Sequence, residues 1–161
     1  MPNKWTFKVP PLLDIVLRYK DDGETWIDPF AGMYSPAELT NDLNPKSPAQ
    51  FHLEAVDFVQ QMRRETVHGA IFDPPYSLTQ VARSYESLGL KFKSKQDPTG
   101  GFTKVRSRLG NLLPVGGICI SFGWNTVGLG KTRGFELFEV LVCCHGGKRN
   151  DTLVVVERKC R

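Results

Sequence analysis

The sequence lacks any long hydrophobic run, and this absence excludes two classes of protein. No apolar stretch approaches the roughly 20 residues that a membrane-spanning helix needs. The first residues, MPNKWTFKVPP, also lack the continuous apolar segment of a secretory signal peptide. We therefore expect a cytoplasmic protein that has no membrane partner.

Cysteine is also scarce, and its positions do not suit a metal site. All four cysteines lie in or beside apolar runs: Cys119, Cys143, Cys144 and Cys160. No CxxC pair occurs, and the three histidines are dispersed along the chain. The pattern predicts reduced, mostly buried thiols and no metal-binding residues.

Length and composition place the chain among ordinary globular proteins. Its 161 residues are enough for one three-layer core and too few for a second full domain. Hydrophobic residues make up 40% of the chain and charged residues 24%, which excludes the disordered and fibrous classes. We therefore expect residues 1–161 to form a single domain that holds every binding site.

Basic residues concentrate in one segment of the chain. Between Ser77 and Arg133 there are nine lysines and arginines against two acidic residues, whereas the remainder carries twelve basic and fifteen acidic residues. A basic segment on an otherwise acidic body is typical of a surface that binds nucleic acid. A solvated basic surface without a partner is the alternative interpretation.

Four short apolar runs that each end in an acidic residue indicate the fold. The acidic residues are Asp28, Asp42, Asp57 and Asp73, at intervals of 14, 15 and 16 residues. The repeat predicts an α/β fold with a mainly parallel sheet and acidic groups at several carboxyl ends of its strands. Ligands of open α/β sheets bind at that edge.

The segments around these runs predict the remaining elements. PPLLDIVLRY has the spacing of an amphipathic helix, and DFVQQMRRETV and RSRLGNLLPVGG predict two more helices. Residues 31–38 leave too little room for a full crossover helix, so we expect a loop there. GICISFG predicts a buried strand, and FELFEVLVCCHG with DTLVVVERK predicts an antiparallel C-terminal hairpin.

The tetrapeptide Asp73-Pro74-Pro75-Tyr76 follows the apolar run AIF and indicates a specific chemistry. An exocyclic base amine is a poor nucleophile because its lone pair is delocalised into the ring. A carboxylate and a proline carbonyl would accept its two hydrogens, and the adjacent tyrosine would offer a face for base stacking. The pattern predicts Asp73, Pro74, Pro75 and Tyr76 as catalytic residues. A rigid turn without a chemical role is the alternative.

This tetrapeptide resembles the (D/N/S)PP(Y/F) signature of the amino-methyltransferases that modify adenine N6 or cytosine N4. The resemblance extends to DPFAG at residues 28–32 and continues to the end of the last strand. TNDLNP, SFGWN and the HGG-x-x-ND-T ending are similar to small phage-type adenine-specific DNA methyltransferases. The family implies a Rossmann-like class I fold, S-adenosyl-L-methionine as cofactor, and methylation of adenine N6 in DNA.

The same resemblance implies a set of cofactor-binding residues. The turn that would contact the methionine portion of the cofactor comprises Asp28, Pro29, Phe30, Ala31 and Gly32. Asp42 would hold the ribose hydroxyls, and Asp57 with Phe58 would border the adenine ring. Lys8 and Pro10 would close the pocket. Asp42 as a turn residue and Asp57 as a helix cap are the alternatives.

Nucleic acid, with DNA favoured over RNA, is the expected partner. The residues predicted to touch it are Lys91, Lys93, Lys95, Lys131 and Arg133. No separate target recognition domain fits within the chain, so we expect residues 77–108 to form a substrate loop, with a second copy or an accessory subunit completing recognition. Trp124 and Asn125 would either face the substrate or support the sheet.

Two other functions are compatible with the sequence. An RNA methyltransferase acting on adenine N6 or guanine N2 would use a related tetrapeptide. A non-catalytic module would keep the fold and bind nucleic acid or the cofactor without methyl transfer.

Overall fold

The computed structural model describes residues 5–64, 66–92, 102–147 and 150–161, which contain six strands and four α-helices. The strands are β1 Trp26–Asp28, β2 Leu39–Thr40, β3 Gly69–Phe72, β4 Ile118–Gly123, β5 Phe135–Cys143 and β6 Thr152–Lys159. The α-helices are α1 Pro10–Tyr19, α2 Ala55–Gln61, α3 Leu78–Ser87 and α4 Phe102–Leu112. Two short 3-10 helices cover Thr6–Lys8 and Lys131–Arg133. No helix in the described ranges is both long and apolar enough to cross a membrane.

One sheet joins all six strands in the order β2-β1-β3-β4-β6-β5. The first four of these run parallel, whereas β6 is antiparallel to both β4 and β5. The mainly parallel sheet and the antiparallel C-terminal hairpin of the sequence prediction are therefore confirmed. The carboxyl ends of β1, β2, β3 and β4 meet at one edge.

Helices cover both faces of the sheet, because its central strands are apolar on both sides. Every residue of β1 and β3 is buried. On one face, Phe58 of α2 and Leu109 of α4 belong to the same buried cluster as Phe72. On the other face, Ile15 and Val16 of α1 pack with Ile71. The result is the three-layer α/β arrangement that the apolar runs predict.

The connections confirm two predictions. Pro10 and Pro11 begin α1, as expected for residues whose missing N–H groups cost nothing in a first helical turn. No helix lies between β1 and β2, so the first crossover is a loop.

Two other predictions differ from the structure. The strand predicted to end at Asp57 is wrong: this residue lies in the first turn of α2, which begins at Ala55. Residues 77–108, predicted as a substrate loop, contain the whole of α3 and the first seven residues of α4. Residues 93–101 between these helices lie outside the described ranges.

Candidate active site

Three of the four predicted aspartates lie at the carboxyl edge of the sheet. Asp28 is the last residue of β1, Asp42 follows β2 by two residues, and Asp73 directly follows β3. Because β1 is hydrogen-bonded to both β2 and β3, the three carboxyl groups lie near one another. Asp28 and Asp73 are buried, whereas Asp42 is partly exposed.

Asp28 organises the turn that follows β1. Its Oδ1 accepts a hydrogen bond from the backbone N–H of Phe30 at 2.9 Å, and its Oδ2 accepts one from the Ser35 hydroxyl at 2.6 Å. Burial raises the pKa of Asp28 to about 7 although these hydrogen bonds oppose the shift. The carboxyl group of Asp28 therefore holds the turn in place from its buried side.

Asp42 connects this turn to the segment after β2. Its Oδ2 accepts a hydrogen bond from the Gly32 N–H at 2.9 Å, and its Oδ1 accepts one from the Asn44 N–H at 2.8 Å. Gly32 has a φ of 58°, a left-handed conformation that favours glycine. The carboxylate is held by backbone amides and borders open space.

A cleft of about 430 Å³, here called the first cleft, opens beside these residues. Its lining includes Pro29, Phe30, Gly32, Asp42, Asp73 and Pro75. Leu53, Glu54, Ala55 and Val56, just before and within the start of α2, form another wall. The combination of an apolar wall with a few fixed polar groups is typical of a small-molecule site.

Besides Asp28 and Ala31, four further predicted cofactor residues do not line the first cleft. Asp57 is exposed on α2, and Phe58 is wholly buried in the core. The Lys8 ammonium lies 4.8 Å from the Trp5 ring and 4.3 Å from the Tyr34 ring, and Pro10 begins α1. None of the four lines the cleft.

The structure accounts for these differences and for the position of Ala31. Asp57 and Phe58 are displaced because α2 starts before them, so the preceding residues Leu53–Val56 face the cleft instead. The backbone N–H of Ala31 donates to the carbonyl of Asn41 at 2.9 Å. Ala31 is buried and supports the turn without lining the cleft.

Asp73 and Tyr76 form a hydrogen-bonded pair within the DPPY turn. The Tyr76 hydroxyl donates to Asp73 Oδ1 at 2.7 Å, and the Thr6 side chain also hydrogen-bonds to this carboxyl group. Burial raises the pKa of Asp73 to about 6, against the opposing effect of these two bonds. Burial, with the charge of Asp73, also raises the pKa of Tyr76.

The start of α3 fixes the backbone of this turn. Ser77 is the N-cap of α3, and its hydroxyl accepts from the Gln80 N–H at 3.3 Å. The Gln80 side chain in turn accepts from the Tyr76 N–H at 2.7 Å. The turn is therefore held at both ends, by β3 and by the first turn of α3.

A second cavity of about 210 Å³ lies beside the same turn. Its lining includes Pro74, Pro75, Tyr76, Phe102, Arg106, Phe122, Trp124 and Asn125. Pro75 and Phe102 line both the first cleft and the second cavity. The DPPY turn therefore separates two neighbouring spaces.

Aromatic side chains surround the second cavity. The rings of Tyr76 and Trp124 meet edge-to-face with centroids 5.6 Å apart, and Trp124 is 39% exposed. Phe102 and Arg106 were not recognised from the sequence, because only the position of α4 brings them here. Trp124 and Asn125 can be identified from the sequence, because they directly follow the predicted strand that ends in SFG.

The predicted nucleic-acid-binding residues have different environments. Lys91 and Lys131 are exposed at the surface. Arg133 donates from its Nη1 to the Leu129 carbonyl at 2.8 Å and from its Nε to the Ser107 hydroxyl at 3.3 Å. Lys93 and Lys95 lie outside the described residues.

No protein-family model matches the chain, and no curated protein is detectably similar to it in sequence. Solved structures do share its fold. TrmN from Thermus thermophilus is 21% identical with a TM-score of 0.60, over 93% of this chain and 48% of that protein. The chain thus spans about half the length of TrmN.

Two further structures cover more of their own length. An rRNA methylase from Streptococcus thermophilus is 12% identical, with a TM-score of 0.56 over 92% of this chain and 93% of that one. A 1,6-didemethyltoxoflavin-N1-methyltransferase from Burkholderia thailandensis, solved with bound S-adenosylhomocysteine, is 12% identical, with a TM-score of 0.56 over 86% and 73%. The chain therefore has the Rossmann-like α/β fold that these methyltransferases share.

Proposed function

We propose that the chain transfers a methyl group from S-adenosyl-L-methionine to an exocyclic base amine, with adenine N6 in DNA as the favoured target. The observation that carries the proposal is the DPPY turn standing between two neighbouring cavities, with Pro75 lining both. A methyl donor on one side and a base on the other would meet at this turn.

The first cleft has the chemistry that the cofactor needs. Asp42 presents a carboxylate whose oxygens are already oriented by the Gly32 and Asn44 amides, which suits two vicinal ribose hydroxyls. Leu53, Ala55 and Val56 supply an apolar wall for a flat ring. Pro29, Phe30 and Gly32 of the DPFAG turn also line the cleft.

The second cavity has the chemistry of a base pocket. Tyr76, Trp124, Phe102 and Phe122 give it aromatic walls, and a flipped base stacks on such rings. Asp73 stands at the end of the neighbouring strand, where its carboxylate can accept a hydrogen of the amine. The Pro74 carbonyl is the second acceptor in this proposal.

Methyl transfer from a sulfonium requires positioning more than acid-base chemistry. The bound cofactor supplies an electrophilic methyl group. The amine nitrogen would form a bond to that carbon as the carbon–sulfur bond breaks and its electron pair passes to sulfur, and one proton would pass from the nitrogen to solvent. Asp73 and Pro74 would orient the amine and stabilise the positive charge that develops on it.

The testing experiment uses tritiated S-adenosyl-L-methionine with unmethylated DNA or RNA, followed by nucleoside mass spectrometry. We expect N6-methyladenine in DNA, and we expect Asp73→Ala to lower kcat/KM by at least about a hundredfold. Asp14→Ala is the matched control, because this aspartate is exposed on α1. An Asp73→Ala variant as active as the control would contradict the proposed mechanism.

RNA is the second candidate substrate, and a specific observation favours it. Two of the similar structures are TrmN and an rRNA methylase. Label in RNA alone would assign the chain to RNA base amines. Cofactor binding without transfer to either polymer would favour the non-catalytic binding module or a requirement for a second copy or accessory subunit.

A further inference from the structure

Arg106 brings a positive charge to the second cavity. It lies on α4, one turn after Phe102, and both side chains line this cavity. Among the described residues of the lining, no other carries a formal charge. The remaining walls are aromatic, proline, small polar or aliphatic, so the charge of Arg106 dominates the local electrostatic potential.

The guanidinium of Arg106 is short of partners within the described part of the chain. Its Nε is buried and has no hydrogen-bond acceptor there. Its carbon Cζ lies 5.0 Å from the centre of the Phe72 ring, directly before the DPPY turn. Neither ion pair found among the described residues includes Arg106. A buried donor without an acceptor is costly and calls for an explanation.

Two other arginines, Arg108 and Arg133, have structural roles in this fold. Arg108, on the same helix, donates to the Val59 carbonyl at 3.1 Å and to the Met62 carbonyl at 2.6 Å, and so ties α4 to the end of α2. Arg133 bonds to the Leu129 carbonyl and the Ser107 hydroxyl. Within the described residues, the Nε of Arg106 has neither kind of acceptor.

We infer that Arg106 is a substrate-binding residue that donates hydrogen bonds to an acceptor of the target nucleotide in the second cavity. This inference rests on the proposed function, since it requires that cavity to hold the nucleotide. The guanidinium lies over the Phe72 ring, and its planar fork suits a paired acceptor. The acceptor belongs either to the edge of the base or to a phosphate of the same nucleotide.

The test compares Arg106→Met with Arg106→Lys and with the control Lys104→Met, which removes an exposed charge from the same helix. We expect Arg106→Met to raise the KM for the nucleic acid about tenfold to a hundredfold, the range found for a paired arginine contact. The Kd for S-adenosylhomocysteine should stay unchanged, because Arg106 does not line the first cleft. Lys104→Met should change the KM less than about threefold.

Modified oligonucleotides identify the source of the acceptor. The first carries an abasic target position, and the second carries a methylphosphonate beside an intact base, each at the site mapped with the wild-type enzyme. If the acceptor belongs to the base, the binding loss caused by Arg106→Met disappears on the abasic oligonucleotide. If it belongs to the phosphate, the loss disappears on the methylphosphonate, and Arg106→Lys retains most of the affinity.

The outcomes separate this inference from the proposed function. A wild-type chain that transfers no methyl group contradicts the proposed function, whereas fluorescence anisotropy with unmodified oligonucleotides still measures whether Arg106 contributes to binding. An unchanged KM and affinity in Arg106→Met overturn the inference even if transfer is normal. A loss that persists equally on both modified oligonucleotides also overturns it. Should Arg106→Met fail to fold, Arg106→Gln, which also removes the charge, takes its place in every comparison.

Discussion

Asp28 and Asp73 are buried carboxyl groups at the carboxyl edge of the sheet, and they have different hydrogen-bond partners. Burial is the main cause of the raised pKa of both Asp28 and Asp73. The oxygens of Asp28 accept hydrogen bonds from the Phe30 N–H and the Ser35 hydroxyl. Among the described residues, Asp73 is held by the hydroxyls of Tyr76 and Thr6, which can rotate to suit a new partner. Of the two carboxyl groups, Asp73 is the one that lines the first cleft and can exchange these partners for a ligand.

Replacing Asp73 by asparagine should stabilise the fold while it removes activity. Burial raises the pKa of Asp73 from 3.8 to about 6, so the fold favours the neutral form. The cost of ionising this carboxyl group is therefore absent below about pH 4 and complete above about pH 6. We expect Asp73→Asn to raise the free energy of unfolding by about 1–3 kcal/mol at pH 8.

Urea unfolding at pH 8 and at pH 4 measures this effect directly. The stability difference between Asp73→Asn and the wild type should shrink towards zero at the lower pH, where both side chains are neutral. Asp14→Asn supplies the control, because an exposed aspartate pays no burial cost. An Asn variant that is less stable than wild type at pH 8 would rule out burial of charge as the dominant effect.

Functional residues can be identified from the sequence where they form a contiguous motif, and less well where their role depends on packing. DPFAG and DPPY each follow an apolar run, so Asp28 and Asp73 were located at strand ends. Asp57 was misplaced because an acidic residue after an apolar run is also what the first turn of a helix looks like. No motif around Arg106 indicates its role, because the position of α4 determines which cavity its side chain lines.

At the scale of the secondary-structure elements, the close approach of β1 and β3 depends on a glycine. Gly69 pairs with Trp26 across these parallel strands. A Cβ atom added to Gly69 would lie 2.1 Å from the Trp26 indole, which is wholly buried. The two strands lead to Asp28 and Asp73, so this contact lies between the elements that carry both residues.

Gly69→Ala should therefore destabilise the protein by about 1–3 kcal/mol, as expected for overpacking of a core. The matched control is Gly123→Ala on β4, where the nearest atom would lie at an ordinary 3.7 Å from the new Cβ. Thermal unfolding of both variants provides the measurement. Equal melting temperatures for the two variants would mean that Trp26 can move aside without cost.

The sequence marks the start of helix α3 with a capping signal, although the composition of the segment favours a loop. Ser77-Leu78-Thr79-Gln80 has the serine and glutamine spacing of a capping box, and Ser77 does cap the helix. The polar, basic composition of residues 77–108 suggested a loop instead. Helix α2, by contrast, is predicted from DFVQQMRRETV but begins earlier, at Ala55, and ends at Gln61.

Over the whole molecule, the basic segment provides fewer free charges than its composition suggests. Arg108 and Arg133 donate to backbone carbonyls, and Arg106 lies in the second cavity. Among the described residues of the segment, the exposed cations are Arg83, Lys91, Lys104 and Lys131. The composition of the segment could be read from the sequence, but the division between structural and free cations required the packing of α4 and the segment Lys131–Arg133.

This division predicts how nucleic-acid binding responds to salt. Each phosphate contact contributes a slope of about −0.7 to −0.9 to a plot of log K against log salt. Lys91 is exposed and lies three residues after Leu88, which lines the first cleft, so Lys91→Met should weaken binding and make the slope shallower by roughly one contact. Arg63→Met removes an exposed charge outside the basic segment and should leave the slope unchanged. Fluorescence anisotropy at several salt concentrations gives both slopes, and equal slopes for the two variants would show that Lys91 makes no phosphate contact.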